Sequence, residues 1–299
     1  MPWVQLRVDT HPAEVEALEQ LLLDSGAVAI TLEDNADQPV LEPAVGETPL
    51  WNQTRLTGLY DAEIDVSAVL ATFPAALLKR INHRLEILED KDWEREWMTH
   101  YQPLQFGPNL WVCPSWLEPP DPSATNLLLD PGLAFGTGTH PTTALCLTAL
   151  ASMPVKQKSV VDYGCGSGIL GVAALKLGAA AVLAVDNDPQ ALVASTDNAR
   201  RNNIPASALT VALPKAVDHK ARAHTADIVV ANILAGPLME LSDTLLGLLR
   251  PGGSLMLSGL IQSQAEPLCE HYAGRIELHV AGEKDGWVCL LGASTKARN

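Results

Sequence analysis

The 299-residue sequence predicts an α/β protein in which a small α+β domain precedes a mostly parallel sheet. Three observations lead there. From residue 104 onward, apolar runs of strand length alternate with helical segments, the pattern of a parallel sheet with helices on both faces. Within that half, Val160-Val161-Asp162-Tyr163-Gly164-Cys165-Gly166-Ser167-Gly168 joins a strand to a helix through closely spaced glycines. Residues 1–90, by contrast, read as a repeated strand–helix–strand unit.

Trp3 to Val8 alternates as a strand should. Thr10 and Pro12 then open a helix whose Val15, Leu18 and Leu22 share one face, and Gly26 closes it. Ala27 to Leu32 is a second strand, and Arg55 to Ala62 a third after a loop over 35–53. Asp65 to Lys79 is helical but interrupted by Pro74, and Arg84 to Leu88 is a fourth strand. The order β-α-β-β-α-β is that of a ferredoxin-like domain. Residues 91–103 form a charged helix between the domains, with Trp93 and Trp97 on one face, serving as a hinge or as a strut.

In the domain spanning 104–299 the strands are Val160–Asp162, Ala181–Asp186, Leu209–Leu213 and Asp227–Ala231. Arg250-Pro251-Gly252-Gly253 turns into the fifth, Ser254–Ser258. Ile276–Ala281 and Trp287–Gly292 flank Gly282 to Gly286 as a hairpin, for a Rossmann-like sheet of seven strands. Ser294 to Asn299 is a loose tail.

Composition narrows the classes. With 47% hydrophobic residues the chain can fill two cores. Asp, Arg or Pro interrupts every apolar stretch before it reaches membrane-span length, and Arg7 and Asp9 exclude a signal peptide at the first segment. Five cysteines at 113, 146, 165, 269 and 289, with no Cys-x-x-Cys pair, read as small buried residues of a cytoplasmic protein. Cys165 lies in the glycine turn and is read as packing. The net charge is −15, of which residues 1–90 carry −11 from five basic and sixteen acidic residues. A protein that grips phosphates with its own side chains has the opposite sign, so direct nucleic-acid binding is not expected. An acidic first third suits solubility or a basic partner.

The glycine segment lets a ligand lie against backbone N–H groups at a helix N-terminus. Asp186, at the tip of the next strand, is placed to accept hydrogen bonds from both hydroxyls of a ribose. Together these residues read as a site for an adenosine-bearing cofactor. Gly166-Ser167-Gly168-Ile169-Leu170-Gly171 also satisfies the dinucleotide fingerprint G-x-G-x-x-G. Asp162 discriminates: a carboxylate before the turn repels a pyrophosphate and suits the positively charged amino end of S-adenosylmethionine. The spacing Asp-x-Gly-x-Gly-x-Gly over 162–168 resembles the first motif of the class I S-adenosylmethionine-dependent methyltransferases. In that class a closing hairpin places one antiparallel strand in the sheet.

Two further segments fit methyl transfer, which needs an aligned nucleophile and neither a metal nor a covalent intermediate. Ala231-Asn232-Ile233-Leu234-Ala235 ends the fourth strand. Methyltransferases of planar nitrogens carry Asn or Asp there, followed by two prolines and an aromatic. Here Ile and Leu follow, which favours an sp3 amine; Asn232 could hold either the cofactor or the incoming amine. Asp130-Pro131-Gly132-Leu133-Ala134-Phe135-Gly136-Thr137-Gly138-Thr139-His140-Pro141-Thr142-Thr143 is a glycine-rich loop with Phe135 as an apolar cover. Thr139 or Thr142 caps the helix that follows, Thr143 faces the same strand ends as Gly164, and His140 is read as a loop or capping residue, not a base.

The combination of Phe135 to Thr143, Val161 to Gly168 and Ala231 to Ala235 resembles the bacterial ribosomal protein L11 methyltransferases, the PrmA family, over nearly the whole chain. The resemblance implies S-adenosylmethionine-dependent methylation of lysine ε-amines and the N-terminal amine of that basic ribosomal protein. It also implies an amino-terminal domain that grips the substrate and swings on the linker. By position, the family's cofactor contacts fall on Thr143, Gly164, Asp186 and Asn232, beside Asp162 and Gly166 from the glycine motif. The residues alone leave open another protein's amine, a small amine, or an S-adenosylmethionine sensor without transfer.

Overall fold

The structure, a computed structural model, describes residues 3–36, 50–88, 101–130 and 138–294. The chain divides into two compact units, Met1–His100 and Tyr101–Asn299.

The first unit contains β1 (Trp3–Thr10), α1 (Pro12–Asp24), β2 (Ala29–Asp34), β3 (Thr54–Asp61), α2 (Val66–Ala71), α3 (Ala75–Leu78) and β4 (Asn82–Leu88). Its sheet runs β2-β3-β1-β4 with every pairing antiparallel, the ferredoxin-like arrangement. Val4, Leu6 and Val8 alternate into the core and meet Val15, Leu18 and Leu22 of α1. Gly26, at φ +101°, ends α1: its N–H donates to Leu23 O and that of Ala27 to Leu22 O. Ala27 therefore belongs to the helix end, and β2 starts at Ala29, not at the predicted Ala27. His11 is the residue preceding α1, while Thr10 Oγ1 donates to Glu14 at 3.0 Å. Asp65 accepts from the N–H groups of Ser67 and Ala68 to cap α2, and Pro74 separates α2 from α3 as predicted. Of the linker helix expected over 91–103, residues 91–100 lie outside the described residues; 101–103 are not helical.

The second unit opens with a feature the alternation pattern does not predict. β5 (Leu104–Phe106), β6 (Leu110–Cys113) and β7 (Thr125–Leu128) form a separate three-stranded sheet before any helix. Strands of three and four residues are too short to show a period. The main elements follow in order: α4 (Pro141–Ser152), β8 (Ser159–Tyr163), α5 (Ile169–Lys176), β9 (Ala181–Val185), α6 (Pro189–Arg201) and β10 (Leu209–Ala212). Next come a short α7 (His219–Arg222), β11 (Ala226–Asn232), α8 (Ala235–Glu240), α9 (Ser242–Leu248) and β12 (Leu249–Ile261). α10 (Gln262–Tyr272), β13 (Glu277–Lys284) and β14 (Trp287–Ala293) complete the fold.

The sheet order is β10-β9-β8-β11-β12-β14-β13. β10, β9, β8, β11 and β12 are parallel, and β14 is antiparallel to both neighbours. Asp285 and Gly286, at φ +50° and +77°, make the tight turn that reverses it. Arg250 to Gly253, predicted as a turn, lies inside the 13-residue β12, where the pairing with β11 jumps register. The central strands are buried on both faces, as a parallel sheet requires. Val160, Val230 and Met256 face α4 and α5, while Val161, Val229 and Leu255 face α8 to α10. No helix among the described residues is long and apolar enough to cross a membrane.

Leu18 is fully buried between α1 and the first sheet. Leu18→Ala should destabilise that unit by about 2–5 kcal/mol, read as reduced hydrogen-exchange protection of β1 and β3. Unchanged protection would contradict this packing.

Candidate active site

The site is built where β8, β9 and β11 end, the edge at which open α/β sheets bind ligands. After Tyr163 the chain must leave the strand and enter α5 within five residues. Gly164, Gly166 and Gly168 manage this at φ +79°, +53° and +76°. A Cβ on Gly164 would lie 2.2 Å from Ile233 Cγ2, and one on Gly168 would lie 2.6 Å from Ser195 Oγ. Three consecutive amides of the turn are held from β9: Gly164 and Cys165 donate to Val185 O at 2.7 and 3.1 Å, and Gly166 to Asp186 Oδ2 at 2.8 Å.

Asp186 follows β9 directly instead of ending it. Its Oδ1 accepts from the N–H of Asp188 at 3.0 Å, at the entry to α6. A carboxylate has about four acceptor positions, so Asp186 retains capacity for a pair of hydroxyls.

Asp162 does not border the turn in the open. It is only 1% exposed, inside β8, and its Oδ2 accepts from Gly171 N–H in α5 at 2.8 Å. Its Oδ1 is buried without a hydrogen-bond partner. Burial pushes its pKa up to about 7, with the charge of Asp186 adding to the rise and the Gly171 N–H opposing it. The third glycine of the fingerprint spacing has a packing origin: a Cβ on Gly171 would sit 3.0 Å from Val182 Cγ1 and 3.2 Å from Asp162 Oδ2.

Asn232 ends β11 and is half-buried; its Nδ2 donates to Thr143 Oγ1 at 3.3 Å. Thr143 itself is fully buried in the first turn of α4. The cap of α4 is His140, not Thr139 or Thr142. His140 Nδ1 accepts from Thr142 N–H at 3.3 Å and lies 2.8 Å from Thr142 Oγ1. Its ring meets Trp287 of β14 edge-on at 5.0 Å, and burial lowers its pKa. The reading of His140 as a capping residue agrees with this geometry. Phe135 and the rest of 131–137 lie outside the described residues. Cys165 is a packing residue: burial drives its thiol pKa up to about 12, far from a reactive thiolate.

The predicted residues thus fall into two groups. Gly164, Gly166 and Asp186 form the turn and its clasp, with Asp162 beneath; Thr143 and Asn232 form a second pair, joined to the first where Ile233 covers Gly164. Ser195 and Asn198 of α6 also reach the turn, bonding to its carbonyls. The sequence marks them only as polar residues on a face with buried alanines.

The parallel sheet with β14 reversed at its sixth place, the glycine turn and the acidic residue after the second strand define a class I methyltransferase that uses S-adenosylmethionine. The residues present fit that cofactor. A buried, unpartnered carboxylate oxygen lies beneath a turn of bare backbone, which suits a cationic ligand and disfavours a diphosphate. Comparison with known proteins narrows the class. The family model described as "Ribosomal protein L11 methyltransferase (PrmA)" matches residues 2–295. A ribosomal protein L11 methyltransferase from Teredinibacter turnerae is 52% identical over 293 residues, 98% of this chain and 97% of that protein. One from Vibrio cholerae is 51% identical over 295 residues, 98% of this chain and 99% of that protein. The crystal structure of a ribosomal protein L11 methylase from Lactobacillus delbrueckii subsp. bulgaricus superposes with a TM-score of 0.58 at 33% identity, covering 65% of this chain and all of that one. The chain belongs to the ribosomal protein L11 methyltransferase (PrmA) family.

Asp162 makes ligand-free stability pH-dependent. Its pKa is about 7 folded and about 3.9 unfolded, so the folded state binds the proton more tightly. Its contribution is complete below the unfolded value and is lost as pH rises through about 7. Asp162→Asn keeps an acceptor for Gly171. It should therefore reduce the fall in Tm between pH 4 and 7 relative to the wild type, without ligand. Parallel Tm profiles would place the proton elsewhere.

Proposed function

We propose that this enzyme methylates lysine ε-amines and the N-terminal α-amine of ribosomal protein L11. We also propose that Gly164, Gly166, Asp162, Asp186, Thr143 and Asn232 form its S-adenosylmethionine site. The observation that carries the choice of acceptor is at the end of β11. Asn232 is clamped by Thr143, and the next residues are Ile233 and a half-exposed Leu234. No proline pair or aromatic follows to stack on a planar ring, and an sp3 amine needs none.

Bound S-adenosylmethionine supplies a methyl group already activated on a sulfonium, so the protein's work is alignment and exclusion of water. Asp186 would accept from the ribose hydroxyls. The Asp162 carboxylate would balance the positive amino end of the cofactor. With Nδ2 given to Thr143, Asn232 Oδ1 orients an N–H of the incoming amine. A lysine has an unperturbed pKa of about 10.4, so on the order of one molecule in a thousand is neutral at pH 7. Transfer into a water-poor site beside another cation lowers that value and exposes the lone pair without a dedicated base. His140 is not that base in this reading, because its Nδ1 is engaged in capping α4.

The charge of the first unit supports a basic protein as substrate: residues 1–90 carry −11. The relatives named for ribosomal protein L11 match across nearly the whole chain, the acidic unit included. Such an enzyme acts in the cytoplasm, where its substrate is made, and needs no membrane contact.

Incubating purified ribosomal protein L11 with the enzyme and S-adenosylmethionine should add 14 Da increments at lysines and at the N-terminus. Asp186→Ala should abolish the increments at low cofactor concentration. Methylation of a small amine but not of L11 would reject the protein substrate. Reversing exposed Glu16, Asp24 and Glu63 to lysine should raise KM for L11 about tenfold at low ionic strength and leave cofactor KM unchanged. Equal losses in both would remove the docking role of the first unit.

A further inference from the structure

Helix α6 has a buried face that is polar where an apolar one would serve packing better. Ser195, Asn198 and Asn202, just past its end, lie at i, i+3 and i+7 on one stripe, and all three are buried. Buried polar side chains persist in a fold when they are hydrogen-bonded. Ser195 Oγ donates to Gly166 O at 3.1 Å, with Cys165 Sγ at 3.3 Å as an alternative acceptor. Asn198 Nδ2 donates to Ser167 O at 2.8 Å. Asn202 bonds elsewhere: Nδ2 to Leu128 O at 2.7 Å and to Asn198 O, and Oδ1 accepts from Leu128 N–H at 2.7 Å.

Two neighbouring carbonyls of the glycine turn are thus tied to one helix. In a planar trans peptide the C=O and N–H point in opposite directions. Fixing the carbonyls of Gly166 and Ser167 therefore fixes the peptide planes of 166–167 and 167–168, the second of which also donates its Gly168 N–H to Cys165 O at 2.8 Å. Gly168 completes the restraint, since its missing Cβ would fall 2.9 Å from Ser195 Cα, so the turn already rests against the helix backbone. Val185 of β9 and Asp186 just after it hold the amides of 164–166, and α6 holds the carbonyls of 166 and 167.

We propose that Ser195 and Asn198 are positioning residues for S-adenosylmethionine: they set the peptide planes of 166–168 and so its affinity, without touching it. The proposal rests on the glycine turn being the cofactor site; it does not depend on which amine is methylated.

The test measures binding of S-adenosylhomocysteine by calorimetry, with Tm and steady-state kinetics, for Ser195→Ala, Asn198→Ala and Asn202→Ala in the full chain. Ser195→Ala and Asn198→Ala should weaken binding about three- to tenfold, the loss of one neutral hydrogen bond. They should raise cofactor KM to match and leave KM for L11 and kcat within twofold. Asn202→Ala, on the same stripe but bonded to β7, should lower Tm and keep the affinity. Unchanged affinity in the first two variants overturns the proposal, as does an equal affinity loss in all three. If Asn198→Ala does not fold, Ser195→Ala decides by the same criteria. Failure of the wild-type protein itself to bind S-adenosylhomocysteine would reject the cofactor site, a result distinct from variants that bind as well as wild type.

Discussion

The carbonyl of Val185 and the carboxylate of Asp186, adjacent at the tip of β9, hold the amides of Gly164, Cys165 and Gly166 in succession. That arrangement exists only because β8 and β9 pair in one register, with Tyr163 opposite Val185. A slip of one residue would move Asp186 off the turn and exchange the two buried faces of β9, each fitted to its own core. Register in turn is enforced by burial on both faces: Val182 and Ala184 pack on one side, Leu183 and Val185 on the other. The hydrophobic effect therefore decides where one carboxylate lands, and that carboxylate takes up the N–H of Gly166.

Two aspartates of the second unit show how context divides a residue type. Asp227, near the start of β11, is partly buried, which alone would raise its pKa. The N–H of Ser159 at 2.9 Å, Lys158 at 3.2 Å and Arg250 at 2.5 Å outweigh that and hold it below the usual carboxylate range. It ties strand starts together and needs nothing further. Asp162 is more deeply buried, has one backbone donor and no cation. A carboxyl left in that condition is a poor way to stabilise a ligand-free fold. The penalty makes sense where a positive ligand completes the set. The charge of Asp186 adds to that penalty, so a positive ligand near Asp186 also relieves Asp162.

Much of this was legible in the sequence because the relevant signals are local. The glycine spacing, the acid after the second strand and the alternation of Val4, Leu6 and Val8 each lie within a few residues, and each marks a structure that forms. The sheet of β5 to β7 was hidden because strands this short carry no periodicity. Residue preference put Thr139 and Thr142 first as caps, whereas the imidazole of His140, also read as a capping residue, makes the bond. The depth of Asp162 was not legible either. Motif spacing gives the order of side chains along a strand, and burial depends on what α5 lays across it. Ser195 and Asn198 escaped notice for a related reason: their partners are main-chain carbonyls 29 and 31 residues away, which no pattern in one sequence displays.

The departure at Ile233 does more than remove a stacking surface. Ile233 Cγ2 covers Gly164, and its carbonyl oxygen would lie 2.2 Å from a Cβ on Gly259, which stands at φ +90° in β12. Gly164, in the turn after β8, and Gly259, in β12 on the other side of β11, have thus yielded their side-chain space to one residue. Because Asn232 precedes it directly, the end of β11 that carries this amide is locked to the glycine turn. In-line transfer tolerates misplacement of well under 1 Å before rate is lost steeply. Ile233 acts as a wedge, its side chain against Gly164 and its backbone against Gly259, an arrangement more rigid than a loop. The proline-aromatic arrangement of planar-nitrogen enzymes would give up this wedge for a stacking platform, which an sp3 amine has no use for.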